Sequence, residues 1–180
     1  ESDWGGRTNG IQGLKEGLPA ILEIFRANNI KALFFISSEL ALDNRGSIQR
    51  NIEDGHEIGS HGHFHIRYKD AFRAEQDRQI SERLLSVFTD KALKYRAPWF
   101  SFQAEDSIYS YTNRHVSVLK MAWFGGKIPR DPIFYIHPFD IVNAKNPPNL
   151  FCGVLYRRPD VVLERFLGLV KRYPGRMKLK

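Results

Sequence analysis

Ala32-Leu33-Phe34-Phe35-Ile36 is an unbroken apolar run of strand length, and a strand apolar on both faces belongs to a parallel sheet covered on both sides. The segments around it alternate with it. Leu14, Leu18, Ile21, Leu22 and Phe25 recur at helical spacing and predict an amphipathic helix over 13–28, ended by Asn28-Asn29. Ser47 is the expected cap of a short helix running to 54, with Ile48 and Ile52 inward and Gly55 as its terminator. A strand then leads to His61, and a long helix is expected over 70–89, burying Ile80, Leu84, Leu85 and Phe88. Short strands follow at 94–97 and 133–136. Pro159 opens a last helix to about residue 173, with Val162, Leu163, Phe166, Leu167 and Val170 as its apolar stripe. No hairpin signal separates the strands, so the class is α/β with a mainly parallel sheet.

A chain of 180 residues, 42% hydrophobic and 26% charged, fits one globular domain spanning 1–180. No apolar run approaches the roughly 20 residues of a membrane-spanning helix. The lone Cys152 excludes an internal disulfide and favours a reducing, cytoplasmic compartment over an envelope or secreted one. A net charge of +7 suits an anionic partner, such as peripheral contact with an anionic envelope surface. The basic residues are scattered and carry no helix-turn-helix, zinc-finger or aromatic-basic pattern, so nucleic acid is not the expected partner.

Four segments carry chemistry. In His61-Gly62-His63-Phe64-His65 a spacing of four puts His61 and His65 on one face if the segment makes a helical turn, with His63 pointing elsewhere. Glu1-Ser2-Asp3 offers carboxylates. Two imidazoles and one carboxylate suffice for Zn2+ or another first-row divalent metal, with positions left for water and substrate. In Tyr95-Arg96-Ala97-Pro98-Trp99, Arg96 brings a fork suited to a carboxylate and Trp99 a flat wall suited to a sugar ring. In Ile133-Phe134-Tyr135-Ile136-His137-Pro138 an apolar strand ends in a histidine, where parallel α/β barrels carry catalytic side chains.

In this order along the chain the segments resemble the polysaccharide deacetylase family, carbohydrate esterase family four, whose motifs are an acidic group after the first strand, H-x3-H, R-x-P-aromatic, and a late strand ending in a catalytic histidine. The resemblance spans 1 to about 140. It implies a distorted (β/α) barrel of about seven mainly parallel strands. It also implies metal-dependent removal of acetyl groups from an N-acetylated glycan. His61, His65 and a carboxylate would hold the divalent metal, Zn2+ before Co2+, Ni2+ or Fe2+. Arg96 would orient the basic carboxylate, and His137 would protonate the departing amine. Trp99 and Trp4 would line the sugar subsite, and Asp106 is a candidate partner for His137.

The chain departs from the family at its start, where no strand precedes Glu1. Two arrangements are open: Glu1 is a metal ligand and the base lies upstream, or Glu1 is the base and Asp3 the ligand. A chain opening in mid-motif and ending in a strand-like 175–180 is expected to be a domain trimmed at both ends, its first strand missing. Two other functions fit the same pattern: hydrolysis of cyclic amides or other C–N bonds, and glycan binding by a degenerate relative without catalysis.

Overall fold

The computed structural model describes residues 11–98, 115–130, 132–142 and 158–173. Its contacts divide into two compact units, Leu33–Thr112 and the combination of Glu1–Ala32 with Asn113–Lys180.

In the first unit the apolar run forms β1 (Leu33–Ile36), paired in parallel with β2 (Glu57–Ser60), Leu33 opposite Glu57 and Ile36 opposite Ser60. The strand expected at 94–97 reduces to one parallel bridge between Ser60 and Tyr95. The Ser60 N–H donates to the Lys94 carbonyl at 2.8 Å, and the Arg96 N–H donates to the Ser60 carbonyl at 3.0 Å. Two short helices, α2 (Ser38–Asp43) and α3 (Arg45–Glu53), make the crossover between β1 and β2. Ser47 lies inside α3 rather than capping it. Asn44 stands at the start of α3 without a side-chain bond to it, its amide group donating instead to the Leu40 carbonyl of α2 at 2.9 Å. Ile36, Ala41, Ile48, Ile58 and Leu85 form one core cluster, with Phe34, Ile52, Phe88 and Leu93 packed against it. Each large member contributes roughly 1.5–3 kcal/mol through burial.

The long helix α4 spans Ala71–Leu85, and the Asp70 carboxylate caps it by accepting from the Arg73 N–H at 2.9 Å. Of the expected inward set, Leu85 is buried and Leu84 and Phe88 are half-buried, but Ile80 is not. Ile80 is 47% exposed, whereas Ala74, Asp77, Ser81 and Leu85 are buried. The reason is what α4 covers: beside the apolar cluster it packs against β2 and the backbone of 62–64, whose polar groups demand hydrogen-bonding partners.

In the second unit the expected helix from residue 13 begins as a π-helical turn (Gly13–Gly17) that runs into α1 (Leu18–Ala27). This wider turn sets Gly13 and Gly17 against 138–139. A Cβ at Gly17 would collide with the Pro138 carbonyl, and one at Gly13 would lie 2.9 Å from the Phe139 nitrogen. Leu18, Ile21 and Phe25 are buried on α1, with Leu14 and Leu22 half-buried. The last helix, α6 (Pro159–Arg172), buries Val162, Phe166, Leu169 and Val170, with Leu163 and Leu167 half-buried. Phe25 meets Phe166 edge-on at 5.8 Å. A strand not expected from the sequence, β3 (His115–Ser117), pairs in parallel with β4 (Ile133–Tyr135), Val116 opposite Phe134. Helix α5 (Val118–Phe124) follows β3 directly, capped by Ser117 through the Lys120 N–H at 3.2 Å.

Every strand pairing among the described residues is parallel, as the unbroken apolar run requires. The described strands form two two-stranded sheets and close no barrel. Among the described residues no helix is long and apolar enough to cross a membrane.

Candidate metal centre

His61 directly follows β2, and its N–H donates to the Ile36 carbonyl at 3.0 Å, continuing the ladder by one residue. The chain then leaves the sheet through Gly62 at φ 80°, and three residues later His65 stands at φ 54°. A non-glycine residue in this left-handed region costs roughly 1–3 kcal/mol. The two rings are therefore not stacked by a helical turn, as the spacing suggested. A pair of left-handed residues folds the segment back, leaving the His61 and His65 Nε2 atoms 3.2 Å apart and their rings tilted at 59°. His65 is only 9% exposed.

Two ring nitrogens so close need something between them, either a shared proton or a cation. The other side of His61 is already committed. Its Nδ1 lies 2.7 Å from the Arg96 carbonyl, which can only accept, so Nδ1 carries the proton and Nε2 presents a lone pair towards His65. A ligating histidine is commonly held in this way, by a backbone carbonyl on its other nitrogen. Two nitrogens each about 2.0–2.1 Å from one tetrahedral zinc lie about 3.3–3.4 Å apart, so the observed separation fits a shared divalent ion. Among the described residues no group of three His, Cys, Asp or Glu side chains is assembled for a metal. Glu1 and Asp3 lie outside the described residues, as do Trp4, Trp99 and Asp106.

The turn is held by α4. Asp77, 5% exposed, accepts from the His63 N–H at 2.7 Å, from the Tyr68 hydroxyl at 3.0 Å and from the Phe64 N–H at 3.4 Å. Ser81 donates to the Gly62 carbonyl at 2.9 Å and accepts from the Ser60 hydroxyl at 2.9 Å. Burial, and then the bond to Asp77, push the Tyr68 hydroxyl up to about 12. His63 points elsewhere, as expected, with its Nδ1 2.7 Å from the Ser38 hydroxyl. Sequence reasoning missed Asp77, Ser81, Ser60 and Tyr68. The available signal was the helical recurrence of Ala74, Asp77, Ser81 and Leu85, a stripe that looks solvent-facing when apolar residues alone are counted.

Arg96 contributes its carbonyl to His61, while its guanidinium carbon lies 4.1 Å from the centroid of the Phe35 ring. His137 belongs to the other unit. It follows β4 and is held by Asp140, which is 1% exposed and accepts from the His137 N–H at 2.9 Å, with Nδ1 at 3.3 Å. Phe139 stacks on the imidazole at 5.0 Å and 10°. Among the described residues Asp140 thus makes the carboxylate contact with His137 for which Asp106 was the candidate.

A sequence profile described as polysaccharide deacetylase matches residues 10–121. Peptidoglycan-N-acetylglucosamine deacetylase PgdA of Listeria monocytogenes is 31% identical over 70 residues, 39% of this chain and 15% of that protein's length. Among solved structures, the Bc1960 peptidoglycan N-acetylglucosamine deacetylase has a TM-score of 0.59 at 19% identity, covering 89% of this chain and 78% of that one. A mutant of BA3943 of Bacillus anthracis, a carbohydrate esterase family 4 pseudoenzyme with restored enzymatic activity, has a TM-score of 0.57 at 18% identity, covering 94% of this chain and 60% of that one. These structural likenesses establish a shared fold.

Proposed function

Because the chain belongs to the polysaccharide deacetylase family, we propose that it is a metal-dependent hydrolase that cleaves the acetamide C–N bond of an N-acetylated sugar in a polysaccharide or glycoconjugate, on a distorted barrel of parallel strands. The observation that carries this reading is the His61–His65 pair, two Nε2 atoms at 3.2 Å with the far nitrogen of His61 fixed by a backbone carbonyl. The deacetylases it resembles favour N-acetylglucosamine as the sugar.

His61 and His65 would hold a divalent ion together with a carboxylate from Glu1 or Asp3, zinc being the foremost candidate and cobalt, nickel or iron the others. When bound, the ion supplies Lewis acidity towards the acetyl carbonyl and towards water. The remaining work falls to side chains. In the arrangement with Asp3 as the ligand, Glu1 removes the proton from the attacking water. Arg96 keeps the base ionised and oriented through its opposite charge. His137, with Nδ1 turned to Asp140, delivers a proton from Nε2 to the amine nitrogen as the C–N bond breaks, because an unprotonated amine is a very poor leaving group. Trp99 and Trp4 would line the sugar subsite.

Zinc content by elemental analysis, and acetate release from chitooligosaccharides and peptidoglycan fragments, test this together. His61→Ala and His65→Ala are expected to lose both metal and turnover; unchanged zinc stoichiometry contradicts the ligand assignment. The likeness to a pseudoenzyme favours one second reading, a glycan-binding protein without catalysis. Glycan binding with no acetate at any metal loading would support that reading instead.

A further inference from the structure

The carboxylate of Asp77 lies beneath the turn that carries the histidine pair and touches neither ring by any bond described above. Its three donors are two consecutive backbone N–H groups of that turn, at His63 and Phe64, and the Tyr68 hydroxyl. One helical turn further along α4, Ser81 donates to the carbonyl of Gly62 and is itself held by Ser60. Side chains four residues apart on one helix thus grip the backbone at 62, 63 and 64, just before the left-handed His65. Left alone, His65 would relax towards the ordinary negative-φ regions, and its imidazole would swing away from His61. The grip also explains two oddities of the sequence. A charged residue is buried on α4, and position 62 must be glycine, since a Cβ there would lie 2.5 Å from the Asp77 carboxylate.

We propose that Asp77, assisted by Ser81, is a positioning residue that sets the affinity of the histidine pair for its divalent ion by holding the 62–64 backbone. This rests on the metal-dependent reading above and extends it to residues that bind no metal themselves. An aspartate serves here better than an asparagine. All three of its partners are N–H or O–H donors, and an amide NH2 in the place of Oδ1 would face two of them; the Tyr68 hydroxyl can turn to accept from that group, and the Phe64 N–H cannot.

The test is a zinc competition titration of the metal-stripped full chain against a chromophoric chelator. It is run on wild type, Asp77→Ala, Asp77→Asn and Ser81→Ala, alongside thermal unfolding of each metal-free protein. Partners that orient ligating histidines are worth about 10- to 100-fold in metal affinity. Asp77→Ala is expected to weaken zinc binding by that factor, with Asp77→Asn between it and wild type and Ser81→Ala weaker than wild type by several-fold. The cobalt-loaded proteins should show a changed d–d absorption in the same order, because the ring geometry relaxes. A purely structural role would lower the unfolding temperature of the metal-free protein and leave the zinc affinity and cobalt spectrum of the folded fraction untouched. That outcome overturns the proposal, as does zinc binding by Asp77→Asn and Ser81→Ala within twofold of wild type. These two variants keep the test decisive if Asp77→Ala does not fold. Wild type that binds no zinc sinks the metal-dependent reading first, and so separates the two failures.

Discussion

Replacing Gly62 with alanine puts two separate costs on the turn below β2. The residue sits at φ 80°, where an L side chain costs roughly 1–2 kcal/mol. The new Cβ would also lie 2.5 Å from Asp77 Oδ2, and the helix that carries Asp77 cannot retreat without opening the cluster around Leu85. The carboxylate must therefore rotate, giving up its 2.7 Å bond from the His63 N–H. A hydrogen bond to a buried charge is worth about 1.5–3 kcal/mol. Together the terms give a loss of about 2.5–5 kcal/mol, a large part of the roughly 5–15 kcal/mol that holds a typical domain folded. Urea unfolding followed by tryptophan fluorescence and far-UV circular dichroism measures it. Gly168→Ala is the matched control: that glycine lies within helix α6 with open space where a Cβ would go, so alanine should stabilise by about 0.5–1 kcal/mol. A Gly62→Ala loss below about 1 kcal/mol would refute the claim that this turn is closed to any side chain.

Two further outcomes follow from the same geometry. The folded-state pKa of Tyr68 is raised to about 12 from the ordinary tyrosine value of 10.0, so its stabilising contribution is complete below about pH 10 and disappears as the pH rises through about 12. The difference in urea midpoint between wild type and Tyr68→Phe should therefore shrink between pH 8 and pH 11.5; a constant difference removes Tyr68 from the account. Asp140→Asn should lower acetate release by about 100-fold with metal content unchanged, the lower part of the range for general acid–base catalysis. Turnover within twofold of wild type would show that His137 needs no carboxylate behind it.

The sequence made legible those elements whose burial is apolar. The run 32–36 forms the strand its apolar composition predicts, with Leu33 and Ile36 buried, and Phe25, Val162 and Phe166 sit where helical periodicity puts them. Elements held by polar contacts were harder to read. Hydrophobicity alone puts Ile80 beside Leu85 on the inward face of α4, whereas part of that face answers the hydrogen-bonding needs of a turn and carries Asp77 and Ser81. The start of α3 at Asn44 rather than Ser47 was hidden because the preceding helix, six residues long, leaves no periodic trace. For the candidate site, the identities of His61 and His65 were readable from spacing. Their manner of convergence was not, since positive φ at a histidine has no sequence signal, and the partner that orients His61 is a main-chain atom.

That last contact has an evolutionary corollary. The atom that fixes the tautomer of His61 is the carbonyl oxygen of residue 96, and every amino acid carries one. Drift at position 96 can swap or delete the guanidinium while leaving this imidazole aimed as before. A substitution there would change the chemistry offered by the guanidinium and keep the main-chain contact that aims His61.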